Sequence, residues 1–372
     1  MRAQLKERND TFSASDIIDV AREMLPRISE VELVELVGLL SSEHSRLGVL
    51  NDVVRIPDVT DVIVNGHCDV WIDRGFGLER ISSPWKNETE LYRFAVRLAM
   101  ECDKRLDELN PYVDAQLDSR IRIHIIAAPL STTGTQIALR IAQPKPPVLH
   151  DLVQHQSPIV ERVLRNIVLT QKAFLLCGGT GTGKTTLLAG MLADVPSSQR
   201  IVIVEDASEL SIAHDHCAKL QSRLPNAEGI GEVTMRTLVR QALRMRPDRI
   251  IVGEVRGAEI LELFAALNTG HQGCAATIHA NSGKDVISRV QLLGVTNGLS
   301  DSATHAQLAT AIDLVIDMQR IDGVRQVHEI GALKLVNDRC EYFPIITFTP
   351  EVKVHSHFDE YLDSDAIQDL SC

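Results

Sequence analysis

The run Gly178-Gly179-Thr180-Gly181-Thr182-Gly183-Lys184-Thr185 follows the apolar stretch 173–177. Such a segment belongs at a strand–loop–helix junction. Its glycines let successive backbone amides turn inward, and Lys184 and Thr185 open a helix whose first amides have no partner within the helix. Inward amides and a helix N-terminus form a cradle for phosphate, with Lys184 in reach of β- and γ-phosphates and the Thr185 hydroxyl available to Mg²⁺. Residues 178–186, including Thr186, are therefore the candidate site for ATP and Mg²⁺.

The surroundings of the loop repeat the pattern strand, loop, helix, strand. Segments 173–177, 200–204, 249–252 and 274–278 are near-continuous apolar runs, as expected of a parallel sheet covered on both faces. Ile260, Leu263, Phe264 and Leu267 fall at i, i+3, i+4 and i+7 and supply one such cover. An α/β domain with a mainly parallel sheet is expected over 151–347.

Pro144-Lys145-Pro146-Pro147 can continue neither a helix nor a central strand, and marks a linker over 144–150. Before it, 51–143 reads as a smaller α+β domain. Val62-Ile63-Val64, the turn Asn65-Gly66 and residues 69–73 predict a hairpin; a helix follows over 88–106, then strands at 121–126 and 136–141. Residues 1–50 read as a helical segment, with Leu33, Leu36, Val37 and Leu40 in helical spacing and Ser29 with Glu32 as a capping box. Residues 348–372 read as an acidic tail without regular pattern.

The formal net charge is -12, which repels nucleic-acid phosphates and anionic lipid, so no nucleic-acid partner is expected. The 7 cysteines show no Cys-x-x-Cys spacing and read as free buried thiols of a reducing cytosol. Residues 1–10 lack the apolar core of a signal peptide, and no apolar run approaches the roughly 18 residues of a membrane span. A cytoplasmic location is expected, with any membrane association made through a partner.

A phosphate loop does not say what orients the attacking water or steadies the metal. Glu205 and Asp206 end one apolar strand, Glu209 follows a turn later, and Glu254 ends another. Carboxylates at the C-terminal ends of neighbouring parallel strands converge beside the loop, where open α/β sheets bind ligands. Thr185, Glu205 and Glu254 are the candidate Mg²⁺ holders, partly through water, and which of Glu205, Glu209 and Glu254 orients the water stays open. His279, in Thr277-Ile278-His279-Ala280-Asn281, reaches the same edge as a γ-phosphate or water contact; His271 is a weaker candidate. Arg236, Arg240 and Arg244 are spaced as one basic stripe of a helix, which calls for anionic partners, either nucleotide or a neighbouring subunit's acids.

With these residues in hand, the chain resembles the type II/type IV secretion ATPase superfamily, and within it the tight-adherence pilus assembly branch. The resemblance rests on four boxes in order: the phosphate loop 178–186, Val204-Glu205-Asp206-Ala207-Ser208-Glu209-Leu210, residues 245–257 around Glu254, and residues 277–281 around His279. It extends to Val62-Ile63-Val64-Asn65-Gly66 and Asn110-Pro111-Tyr112-Val113-Asp114-Ala115-Gln116-Leu117. The resemblance implies a RecA-like ATPase domain, a PAS-like N-terminal domain that closes over the nucleotide, a homohexameric ring, and a partner in the inner-membrane platform of a pilus or secretion system. It also implies that N-domain arginines matching Arg120 and Arg140 act at the site; Arg122 could share the role. Two positions depart from the family pattern: Asp118 stands where a glycine is usual before Ser119-Arg120, and Ala142-Gln143 replace an aromatic after Arg140.

Three functions compete on this sequence: a secretion or pilus motor ATPase, a RecA-like nucleic-acid translocase, and a nucleotide-dependent assembly protein without hydrolysis. The net charge opposes the second. Glu205, Glu209, Glu254 and His279 together oppose the third.

Overall fold

The computed structural model describes residues 14–25, 29, 46–75, 77–118, 120–142, 146–223, 225, 230–268, 270, 272–349 and 351–362. Glu32, Leu33, Leu36, Val37, Leu40, Ser119, Gln143 and His271 lie outside the described residues. The chain divides into two compact units, Met1–Pro144 and Lys145–Cys372.

In the first unit, strands β1 (Asp61–Asn65), β2 (Val70–Asp73), β3 (Leu78–Ile81), β4 (Tyr112–Gln116), β5 (Ile121–Ile126) and β6 (Gln136–Ile141) form an antiparallel sheet in the order β3-β2-β1-β6-β5-β4. The helix Glu88–Met100 starts where the Asn87 side chain accepts the Glu90 amide at 3.0 Å, satisfying one of the helix's open donors. It lays Leu91, Phe94 and Leu98 against the sheet residues Val62, Ile123 and Ile137. The helix ends before the expected residue 106, because the chain turns at Asp103 through φ 54°. The helix Ala14–Met24 belongs to the same unit.

In the second unit, β7 (Phe174–Gly178), β8 (Ile201–Glu205), β9 (Cys217–Gln221), β10 (Arg249–Val255), β11 (Ala275–His279) and β12 (Leu314–Ile321) run parallel. An antiparallel extension follows through β13 (Val324–Val336), β14 (Arg339–Thr347) and β15 (Lys353–Val354). The order is β15-β14-β13-β12-β7-β11-β10-β8-β9. Successive side chains of the central strands point to opposite faces: Phe174, Leu176, Ile201 and Ile203 enter one core, Leu175, Cys177, Val202 and Val204 the other. That is why these strands read as unbroken apolar runs. Helices Pro158–Leu169 and Lys184–Leu192 cover the first face; Met235–Ala242, Glu259–Asn268, Asp285–Thr296 and Asp301–Ala311 cover the second.

Three further expectations need correction. The segment after 347 is not wholly a tail: it adds β15 and the short helix Phe358–Tyr361, and buries Phe348, Phe358 and Leu362 in the first core. Its few apolar residues are spaced too widely to show periodicity but suffice to dock it. The basic stripe is balanced within its own chain, because one oxygen of Glu262 accepts from Arg236 Nε at 2.9 Å and Arg240 Nη2 at 2.7 Å, while the helix stops at Ala242, short of Arg244. Among the thiols, Cys177, Cys274 and Cys340 are buried, but Cys68 is exposed.

No helix among the described residues is long and apolar enough to cross a membrane.

Candidate functional site

The phosphate loop leaves β7 at Gly178. There φ is 145°, and a Cβ would stand 2.3 Å from the Met318 carbonyl oxygen, so only glycine fits the close approach of β12. Thr182 Oγ1 donates to the Gly179 carbonyl at 2.9 Å and folds the loop on itself. Side chains of Asn87, Ser157, Thr234 and Ser300 cap their helices, but the helix Lys184–Leu192 begins at Gly183, which has no side chain to offer. Its first amides are left to a ligand, the arrangement that suits phosphate. Lys184 is buried and donates Nζ to the carbonyls of Gly178 at 2.9 Å and Gly179 at 2.8 Å. Burial pulls its pKa down, and Glu254 draws it partly back. Thr185 is half-buried in the first helical turn, and Thr186 is exposed beside it.

The acid opposite the loop is placed by an irregularity in the sheet. Val252 pairs with Ala276 but Val255 with Ile278, so β10 carries one extra residue at Gly253-Glu254. Such a bulge re-aims a side chain at the end of a strand. Thr277 Oγ1 donates to the Gly253 carbonyl at 2.6 Å and steadies it, and Gly253 leaves room for Glu205, whose Cγ would lie 2.8 Å from any added Cβ. Glu254 is thereby turned to His279 Nε2, 3.0 Å from its Oε1, and to Arg256 Nη2, 2.6 Å from its Oε2. Lys184 Nζ lies 3.5 Å from His279 Nδ1. An ammonium can only donate, so Nδ1 accepts and Nε2 carries the proton directed at Glu254. Burial and Lys184 hold the imidazole below its ordinary pKa, with Glu254 acting against them. For Glu254 burial acts upward, but the Arg256 hydrogen bond and charge, with His279 and Lys184, hold its carboxyl below the ordinary range.

Lys184, His279 and Glu254 thus come together across three adjacent parallel strands. Glu205 takes a different position: buried at the end of β8, its Oε1 accepts the amides of Glu209 at 3.0 Å and Leu210 at 2.8 Å. Burial pushes its pKa up, and the two amides pull against that. Glu209 and Asp206 are within electrostatic reach of Arg256.

Arg140 and Arg120 belong to the other unit. Arg140 is exposed on β6, with Nε 3.4 Å from Asp61 Oδ1, and is cross-strand neighbour of Arg122, itself bound to Asp114 at 2.8 Å. Arg120 is exposed, and its amide bonds the Asp118 carboxylate at 2.7 Å, so Asp118 serves as the turn residue where the family pattern has glycine.

Sequence reasoning missed Arg256 and Arg325. Arg325 Nε donates to the Gly181 carbonyl at 3.0 Å from β13. The pattern at 245–257 contains Arg256 but does not say which acid it holds. Arg325 lies 144 positions from Gly181, beyond any local signal.

Residues 44–339 match the family described as "Type II/IV secretion system protein". A Mycobacterium tuberculosis protein named "Putative conjugal transfer protein" is 43% identical over 323 residues, covering 84% of this chain and 92% of that protein. "Type IV secretion system protein PtlH" of Bordetella pertussis is 28% identical over 313 residues, 76% of this chain and 92% of its own. Among solved structures, the ATPase DotB of Yersinia pseudotuberculosis shares the fold with a TM-score of 0.53 at 18% identity, over 84% of this chain and 81% of that one. By the extent of the family match and the identity to the mycobacterial relative, the chain belongs to the type II/IV secretion system protein family.

Proposed function

We propose that this protein hydrolyses MgATP as the motor of a pilus or secretion system, in the tight-adherence branch of its family. The observation that carries the reading is the meeting of Lys184, His279 and Glu254 at the phosphate loop.

The residues fit a nucleotide. Gly178, Gly181 and Gly183 hold the positive φ values that turn backbone amides inward, and the helix behind them has no side-chain cap. Lys184 would exchange its bonds to the loop carbonyls for β- and γ-phosphate oxygens. Thr185 would hold Mg²⁺, with Glu254, and Glu205 from behind its amide contacts, acting through water. When bound, Mg²⁺ neutralises charge developing on the phosphate oxygens.

Glu254 is the base we assign to orient the attacking water. Its carboxyl, held below the ordinary range, is ionised at neutral pH, and neutral His279 directs Nε2–H at it. Both Glu254 oxygens are engaged, by His279 and Arg256, so one contact must yield before water is gripped. Glu209, near Arg256, would support that exchange. Arg140, with Arg120, would complete the γ-phosphate environment when the 51–143 domain closes, as the family resemblance implies. The working form would be a homohexamer at the cytoplasmic face of the membrane, held there by a multispanning platform protein.

The test is phosphate release from MgATP by the full chain. Turnover in the wild type and none in a folded Lys184→Ala protein is the expected result. Equal turnover in the two would overturn the site.

A further inference from the structure

We propose that Arg325 is a nucleotide-binding residue, holding the α-phosphate on the side of the loop away from Glu254. This rests on the nucleotide reading of the loop given above.

The placement begins with a turn. Asp322 and Gly323 have φ of 50° and 82°, and join β12 to β13 with Ile321 paired to Val324 and Arg320 to Arg325. Positive φ at both central residues makes a type I′ hairpin, whose twist matches the strands and fixes their register. β12 pairs with β7 as far as Asp317 and Cys177, then continues beyond it, so the hairpin runs along the outer edge of the phosphate loop. Met318 of β12 meets the loop through its carbonyl at Gly178, and Arg325 of β13 meets it with a charged side chain. Besides its bond to Gly181, its Cδ lies 3.2 Å from where a Gly183 Cβ would stand, so the glycine at the helix start also makes space for this arginine.

The stem is held from behind. His155 Nε2 donates to the Arg325 carbonyl at 3.0 Å, and Gln156 makes two bonds to Val327, accepting its amide at 3.0 Å and donating to its carbonyl at 2.9 Å. A guanidinium on a braced strand is suited to recognising a phosphate, since little freedom is lost on binding. Among the described residues no carboxylate pairs with Arg325. The neighbouring Arg320, by contrast, turns its Nε to the Gly323 carbonyl at the hairpin tip.

Sheet order supplies the direction. Glu254 and His279 end β10 and β11, on one side of β7; β12 and β13 lie on the other. A γ-phosphate facing Glu254 and His279, with the β-phosphate in the loop, directs the α-phosphate toward the hairpin. Arg325 can present its terminal nitrogens there while Nε keeps Gly181 in place.

The experiment is titration calorimetry of the full chain with ADP and with a non-hydrolysable ATP analogue, together with steady-state turnover. The α-phosphate is common to both ligands, so Arg325→Ala should weaken both by the same factor, on the order of 10- to 100-fold. Saturated kcat should stay within about threefold, and Arg325→Lys should recover part of the affinity by restoring the charge. Unchanged ADP affinity in the alanine variant would overturn the proposal, and so would a loss confined to the ATP analogue or to kcat. A lowered melting temperature with no recovery by lysine would assign Arg325 to support of the loop, also against the proposal. Failure of the wild type to bind ADP would instead sink the nucleotide reading of the loop itself.

Discussion

His279 Nε2 stands 3.0 Å from Glu254 Oε1, although β10 and β11 pass each other with a register shift immediately before the contact. The bulge creates the pair: without the extra residue, strand alternation would send the side chain after Gly253 to the other face of the sheet.

Glu254→Gln keeps the size and hydrogen-bonding capacity of the side chain but removes the charge and the proton acceptor. ATP binding should survive while turnover falls by orders of magnitude, measured as phosphate release beside equilibrium binding. If turnover instead collapses only in Glu205 or Glu209 variants, Glu254 has a supporting role.

His279 should titrate below the ordinary histidine value, observable by NMR with its signal assigned from a His279→Gln spectrum. The signs of its neighbours differ. Glu254 favours the imidazolium, so Glu254→Gln should lower the titration midpoint further; Lys184 opposes it, so Lys184→Ala should raise the midpoint. Shifts in the reverse directions would contradict the tautomer and pairing described for the site.

Glu205 satisfies two backbone amides that follow its own strand. Glu205→Ala leaves buried donors without a partner and should cost about 1–3 kcal/mol in denaturant unfolding. Glu205→Gln retains an acceptor oxygen and should cost less, yet should reduce turnover if the charge matters to Mg²⁺. An alanine variant as stable as wild type would remove the capping role.

Arg140→Ala should lower kcat strongly, since an arginine added to the γ-phosphate contributes roughly 10³–10⁵ in comparable enzymes. ATP affinity should stay within roughly tenfold, because such a contact forms chiefly on the way to the transition state. Unchanged kcat would return Arg140 to a structural role beside Asp61.

The sequence determined the local parts of this protein. Gly178 to Thr185 specify their own loop, because positive φ, an uncapped helix start and a preceding buried strand are short-range properties. The apolar runs behind β7, β8, β10 and β11 are legible for the same reason, since burial on both faces removes alternation. The tertiary structure decided what these parts meet. Whether Glu205 or Glu254 faces Lys184 depends on a one-residue bulge where β10 passes β11, and a bulge leaves no mark in hydrophobic pattern. The sequence singled out neither Glu262 nor Arg325; only helix packing and the β12–β13 hairpin bring Glu262 to Arg236 and Arg325 to Gly181. Such contacts join surfaces made by distant segments, and side-chain charge acquires a partner only once those surfaces are packed.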